Sequence, residues 1–81
     1  MLKSLSGIEL NQKAIIDSMN QEKLNSDYIL ELLDFGFLPG TEISVLQKYP
    51  SQNKIVVQIG RAHLSLRLND ASFIQVRTNG N

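Results

Sequence analysis

The 81-residue chain has no cysteine, no tryptophan, two prolines and a single histidine. Without cysteine there are no disulfides, no thiolate metal sites and no cysteine nucleophile. The lone His63 cannot assemble a histidine-rich metal site by itself. No apolar run approaches the roughly 18 residues that a membrane-spanning helix needs. The opening MLKSLSGIEL lacks the continuous apolar segment of a signal peptide. No glycine-rich phosphate loop or Walker pattern is present. Eight basic residues balance eight acidic ones, without the positive excess that general nucleic-acid binding requires. These absences imply a cytoplasmic protein that is not an enzyme, with no nucleic-acid partner and no direct membrane insertion.

The charges that are present are unevenly spread. Residues 1–42 carry three lysines against seven carboxylates, and residues 43–81 carry five basic groups against Asp70 alone. Such a dipole can orient a partner unless folding interleaves the two halves. The length suits one domain with a small core, read here as residues 1–77 followed by a frayed polar tail, 78–81.

Apolar periodicity supplies the elements. Leu5 and Ile8 suit a short turn plugging one end of a core, and Lys13–Met19 alternates as a strand with Ala14 and Ile16 on one face. Glu22–Phe35 is the one helical stretch. Leu24, Tyr28, Leu32 and Phe35 recur at helical spacing, and Ile29 and Leu33 widen the stripe. Asn25 or Ser26 caps its start, and Asp27 falls in the first turn, where the helix dipole favours an anion.

The densest segment is LLDFGFLPGT, residues 32–41. Gly36 suits the positive φ that ends many helices, and Phe37 then packs back on the last turn. Pro39-Gly40 fits the two central positions of a type II turn. Beyond it, EISVLQK, KIVVQI, HLSLRL and FIQVR read as strands, separated by YPSQN, Gly60-Arg61 and Asn69–Ala71. The sum is mainly β: five short strands around a small core, with one α-helix inserted after the first. Such a set closes or nearly closes into a barrel, of SH3-like or OB type.

These stretches resemble the family of ferrous iron transport protein A, FeoA, a small SH3-like barrel. In LSGIELNQKAII, Leu5, Ile8, Ala14 and Ile16 fit the family's opening pattern, with Asn11 where glycine is usual. Asparagine is the next most tolerant residue at positive φ. LLDFGFLPGT is similar to the family hallmark through Leu33, Gly36, Pro39, Gly40 and Thr41. The closing LSLRLNDASFIQV matches through Leu66, Arg67, Ala71, Ile74 and Val76. One departure is local: relatives carry arginines on the helix before the glycine, and this chain has Tyr28, Leu30 and Glu31 there. The resemblance implies a non-enzymatic accessory protein that binds the membrane ferrous iron transporter FeoB, a GTPase, and supports Fe(II) uptake. The alternative is a metal-linked regulatory module like the SH3-like domain of iron-dependent transcription regulators. Met1 and the lack of DNA-binding helices favour the first.

Candidate sites are few. Asp27, Glu31 and Asp34 stand at i, i+4 and i+7 on one helical face. They offer oxygen ligands for a weak Fe(II) or other divalent-cation site, or a solvated face, and no firm cofactor follows from them. Phe35, Phe37 and Leu38 crowd Gly36, and any that stays exposed is a hydrophobic partner contact. Arg67 points away from the alternating leucines, so it either braces the 69–71 turn, pairs with a helix carboxylate or touches a partner. His63, Ser65 and Arg67 share an outward strand face without the third orienting group that a nucleophile–base pair needs. A small barrel of this type can pair into a homo-oligomer through an edge strand or through the helix, and the sequence leaves the choice between these and a monomer open.

Overall fold

Alternation produces strands where the sequence places them. In the computed structural model, which describes residues 2–78, β1 spans Leu2–Ser4, β2 Lys13–Met19, β3 Glu42–Tyr49, β4 Lys54–Ile59, β5 Ala62–Arg67 and β6 Ile74–Arg77. They form one antiparallel sheet in the order β1-β6-β2-β3-β4-β5. Among the described residues there are six strands, one more than the five that the sequence suggests in the same mainly β fold. The extra one, β1, is three residues long and too short to show a period. It exists because it pairs with β6, Leu2 opposite Arg77 and Ser4 opposite Gln75. The helix accordingly follows the second strand.

Two bulges bend the sheet. The register slips at Asp17 between β2 and β6, and at Leu46 between β3 and β4. A bulge adds local twist, which helps a sheet wrap around a core. Inward residues from five strands, among them Ile16, Val45, Val57, Leu66 and Ile74, meet a plug made of Leu5, Ile8, Leu32 and Phe37. Leu5 sits in a 3₁₀ turn, Leu5–Gly7, as the Leu5/Ile8 spacing implies. The turn is held by β3, where Lys48 Nζ donates to the Ser6 carbonyl at 2.9 Å.

Helix α1 spans Ser26–Asp34, shorter than the Glu22–Phe35 stretch the periodicity suggests. Asn20 is the reason. Its side-chain oxygen accepts from the N–H groups of Glu22 and Lys23, and its carbonyl accepts from Leu24, so a separate turn closes there. Leu24 is still buried, but from a loop. Asn25 is the N-cap, accepting from the Asp27 N–H at 2.8 Å. A second, single-turn helix, α2, spans Leu68–Ala71, where a turn was expected. Thr78 departs from the frayed-tail reading: it is buried and has a bonding partner. The remaining tail residues, 79–81, lie outside the described residues.

Asn11 adopts φ +64 and so fills the glycine-like position anticipated for it. Its N–H donates to the Val45 carbonyl at 2.7 Å, tying the segment before β2 to β3. The halves of the charge dipole meet in the sheet, where Arg77 Nε donates to Asp17 Oδ1 at 2.9 Å; the other ion pair among the described residues, Lys13–Glu42 at 3.7 Å, lies within the first half.

Candidate functional site: an apolar corner and an edge-strand groove

The corner is built by two consecutive turns. Phe35 is the C-cap of α1. The Gly36 N–H donates to the Leu33 carbonyl at 2.9 Å, and the Phe37 N–H to the Leu32 carbonyl at 3.0 Å. These are the two bonds of a Schellman motif, with Gly36 at φ +102. The Thr41 N–H then donates to the Leu38 carbonyl at 3.0 Å across Pro39-Gly40, with Gly40 at φ +94, a type II turn. Gly40 N–H and Thr41 C=O both bond to the backbone of Ile16 in β2, at 2.8 and 2.9 Å. The corner is therefore sewn to the sheet and not merely laid over it.

This geometry separates the residues that the sequence groups together. Phe37 is 0% exposed and is the largest fully buried side chain. It cannot be a partner contact, because position C″ of the cap turns it into the core. Phe35 is 50% exposed, Leu38 50% and Leu30 60%. Phe35 also leaves the apolar stripe in which its spacing placed it: at the C-cap the chain has begun to turn, and its side chain faces solvent. Leu30, Phe35 and Leu38 thus surround the end of α1 with exposed apolar surface.

Asp27, Glu31 and Asp34 are all exposed. None is in an ion pair among the described residues, where only Lys13–Glu42 and Arg77–Asp17 occur. No group of three or more His, Asp or Glu side chains is gathered there for a metal ion. Carboxylates on successive turns of an exposed helix remain a solvated face that could offer only oxygen ligands.

The other end of α1 borders a groove. Lys23, Leu24 and Tyr28 line one side; Ser65 and Arg67 of β5, with Asp70 of α2, line the other. The Tyr28 hydroxyl is pushed up to about 12, first by burial and then by the Asp70 carboxylate, with the positive charge of Arg67 opposing. Arg67 is exposed and pairs with no carboxylate among the described residues. His63 and Ser65 are exposed on the same strand.

Asn53 does the bracing of the 68–71 turn that Arg67 was a candidate for. It sits at φ +51 after the 3₁₀ turn Pro50–Gln52. Its carbonyl accepts from the Leu68 N–H at 3.0 Å and its side-chain oxygen from the Asn69 N–H at 2.9 Å. The first two donors of α2 are thus satisfied from a different hairpin. YPSQN reads only as a turn, and nothing local marks Asn53 as a cap for residues fifteen positions on. The groove was missed for the same reason: its two sides are distant in sequence.

A mainly β domain with an SH3-like fold, distinguished by an apolar corner and a polar groove, is the class that the geometry defines. The FeoA domain model matches residues 3–78, and the chain belongs to the FeoA domain family. Iron(II) transport protein A from Clostridium thermocellum is 30% identical with a TM-score of 0.80, over 95% of this chain and 46% of that one. FeoA from Stenotrophomonas maltophilia, solved as a zinc complex and described as a prokaryotic SH3 domain protein, is 27% identical with a TM-score of 0.77, over 94% of this chain and 88% of that one. T. acidophilum IdeR has a TM-score of 0.79 at 17% identity, over 96% of this chain and 34% of that one, a likeness of fold alone. No curated protein sequence matches the chain.

Proposed function

We propose that this protein is a non-enzymatic, cytoplasmic accessory protein that binds the membrane ferrous iron transporter FeoB and supports Fe(II) uptake. The observation that carries the proposal is membership of the FeoA family over residues 3–78. In this reading the chain acts on the transporter from outside the bilayer; among the described residues no helix is long and apolar enough to cross a membrane. Iron enters as the transporter's cargo, and any nucleotide hydrolysis is the transporter's.

Phe35 and Leu38 are the contact residues in this reading, with Leu30 beside them. Each is at least half exposed. The corner that carries them is pinned by the Schellman bonds, the type II turn and the two bonds to Ile16. A pinned apolar surface loses little conformational entropy on binding, and that favours its use as a docking point.

The test is co-purification of FeoB with the natively expressed protein, paired with ferrous uptake in a deletion strain. Recovery of the transporter and reduced uptake are expected; absence of both contradicts the proposal. The fold shared with IdeR favours one second reading, a module contacting a metal-dependent regulator. At 17% identity that likeness extends to fold only, so the transporter reading is preferred. A pull-down that recovers a DNA-binding regulator in place of the transporter would reverse the order.

A further inference from the structure

Strand β5 is a sheet edge, paired with β4 alone. The β4–β5 hairpin has the two-residue loop Gly60-Arg61, with Gly60 at φ +60 and Ile59 opposite Ala62. Glycine at the first central position marks a type II′ turn, whose flanking residues form a hydrogen-bonded pair. Alternation from that pair makes Leu64 and Leu66 bonded positions, and His63, Ser65 and Arg67 the non-bonded ones. At His63 and Ser65 the backbone N–H and C=O both point away from β4, along the open edge. Arg67 adds an outward N–H. None of these groups has a partner among the backbone and side-chain hydrogen bonds of the described residues outside the β4 ladder.

This edge borders the groove whose far side is Lys23, Leu24 and Tyr28. A strand edge facing a helix across a groove can take one more strand, with main-chain bonds giving affinity and alternate side chains giving selectivity. We propose that the groove binds an extended acidic segment of a partner protein as an added strand alongside β5. Charge selects the occupant. Lys23 and Arg67 line the groove without an ion pair among the described residues. Lys54 lies directly opposite Arg67 on β4, and Arg61 stands in the hairpin loop. The opposing carboxylates are Asp70 on α2 and Glu31 on α1, both acting on Tyr28. The strand side is therefore net positive, and the peptide's carboxylates face it. Edge cations also guard β5 against pairing with an uncharged or basic strand. The proposal does not depend on FeoB, and its failure would leave the transporter reading intact.

The test is a titration of the ¹⁵N-labelled full chain with the capped peptide TEVTEVTE and, separately, its lysine counterpart TKVTKVTK. The amides of His63, Ser65 and Arg67 should shift and gain exchange protection, with further shifts at Lys23–Tyr28. The lysine peptide should bind about tenfold more weakly, equivalent to about 1.4 kcal/mol. Ser65→Pro removes an outward donor without touching the β4 ladder and should weaken binding by a similar factor. If that variant does not fold, Arg67→Glu takes its place and should abolish the preference for the acidic peptide. The proposal is overturned by any of three results: shifts that avoid the β5 edge, equal binding of both peptides, or no binding at millimolar peptide. It is likewise overturned if these amides shift with protein concentration alone, because a second copy of this chain would then occupy the edge.

Discussion

The end of α1 and the start of α2 solve the same problem in opposite ways. Both must satisfy backbone groups that a helix leaves unpaired at its ends. At the end of α1 the solution is contiguous: residues 32–41 supply the glycine, the buried Phe37 and the Pro-Gly turn. At the start of α2 the solution comes from another hairpin, through both oxygens of Asn53. The first can be read from ten letters. The second exists only once β4 and β5 have paired and brought residue 53 beside residue 68.

The contrast also separates Phe35 from Phe37, and this gives the largest expected effect. Phe37→Ala should cost about 3–5 kcal/mol, a large share of the roughly 5–15 kcal/mol that stabilises a small domain. Phe35→Ser should stay within about 0.5 kcal/mol, as exposed positions do. Urea denaturation of both variants checks this; similar losses at the two positions would break the assignment of one to the core and the other to the surface.

Next in size is Asn53→Ala, which removes a cap and places alanine at φ +51. About 2–3 kcal/mol is expected from the two effects together. Asn53→Gly keeps the backbone conformation and the carbonyl bond, so it should cost less than half as much. Equal losses would mean that the side-chain bond to Asn69 matters more than the backbone strain.

Gly36→Ala follows, at about 1–2 kcal/mol. An added Cβ would meet nothing within 4 Å, so the cost is that of the φ +102 backbone alone. Gly7 also has open space around it, but no positive φ. Gly7→Ala should therefore be neutral or slightly stabilising, and thermal melts of the pair isolate the backbone term.

The last effect is one of pH and is nil near neutrality. Tyr28 titrates near 12 when folded against 10 when unfolded. The folded state holds this proton more tightly, so the associated stability is intact below pH 10 and is lost as pH rises toward 12. Tyr28→Phe should flatten that part of the stability–pH curve. A curve unchanged by the substitution would show that neither burial nor the Asp70 carboxylate shifts the hydroxyl.

What was legible in the sequence follows the same local-versus-distant divide. The β2 and β4 limits, the Gly36 cap and the Pro39-Gly40 turn all rest on neighbours in the chain, whereas the positive φ at Asn11 was implied by the family resemblance. β1 was not legible, because three residues show no period and its partner β6 is at the other end of the chain. The start of α1 was misplaced because Asn20 closes its own turn, one whose last residue, Leu24, happens to continue the helical spacing. Phe37 was named among the contact residues although Gly36 already placed it at C″, packed back on the helix; what spacing alone misplaced is Phe35, which it put in the buried stripe and which is the exposed C-cap. The groove joins Lys23 and Tyr28 to Ser65, Arg67 and Asp70, and no local pattern links those two segments.

The claim that most needs testing is that the corner holds the fold with one aromatic and meets the transporter with the other. The measurement is co-purification of FeoB with a Phe35→Ser, Leu38→Ser double variant whose thermal melt matches that of the native chain. The account predicts that the folded variant no longer recovers the transporter, whereas the native chain does. Recovery undiminished by the double substitution would contradict it.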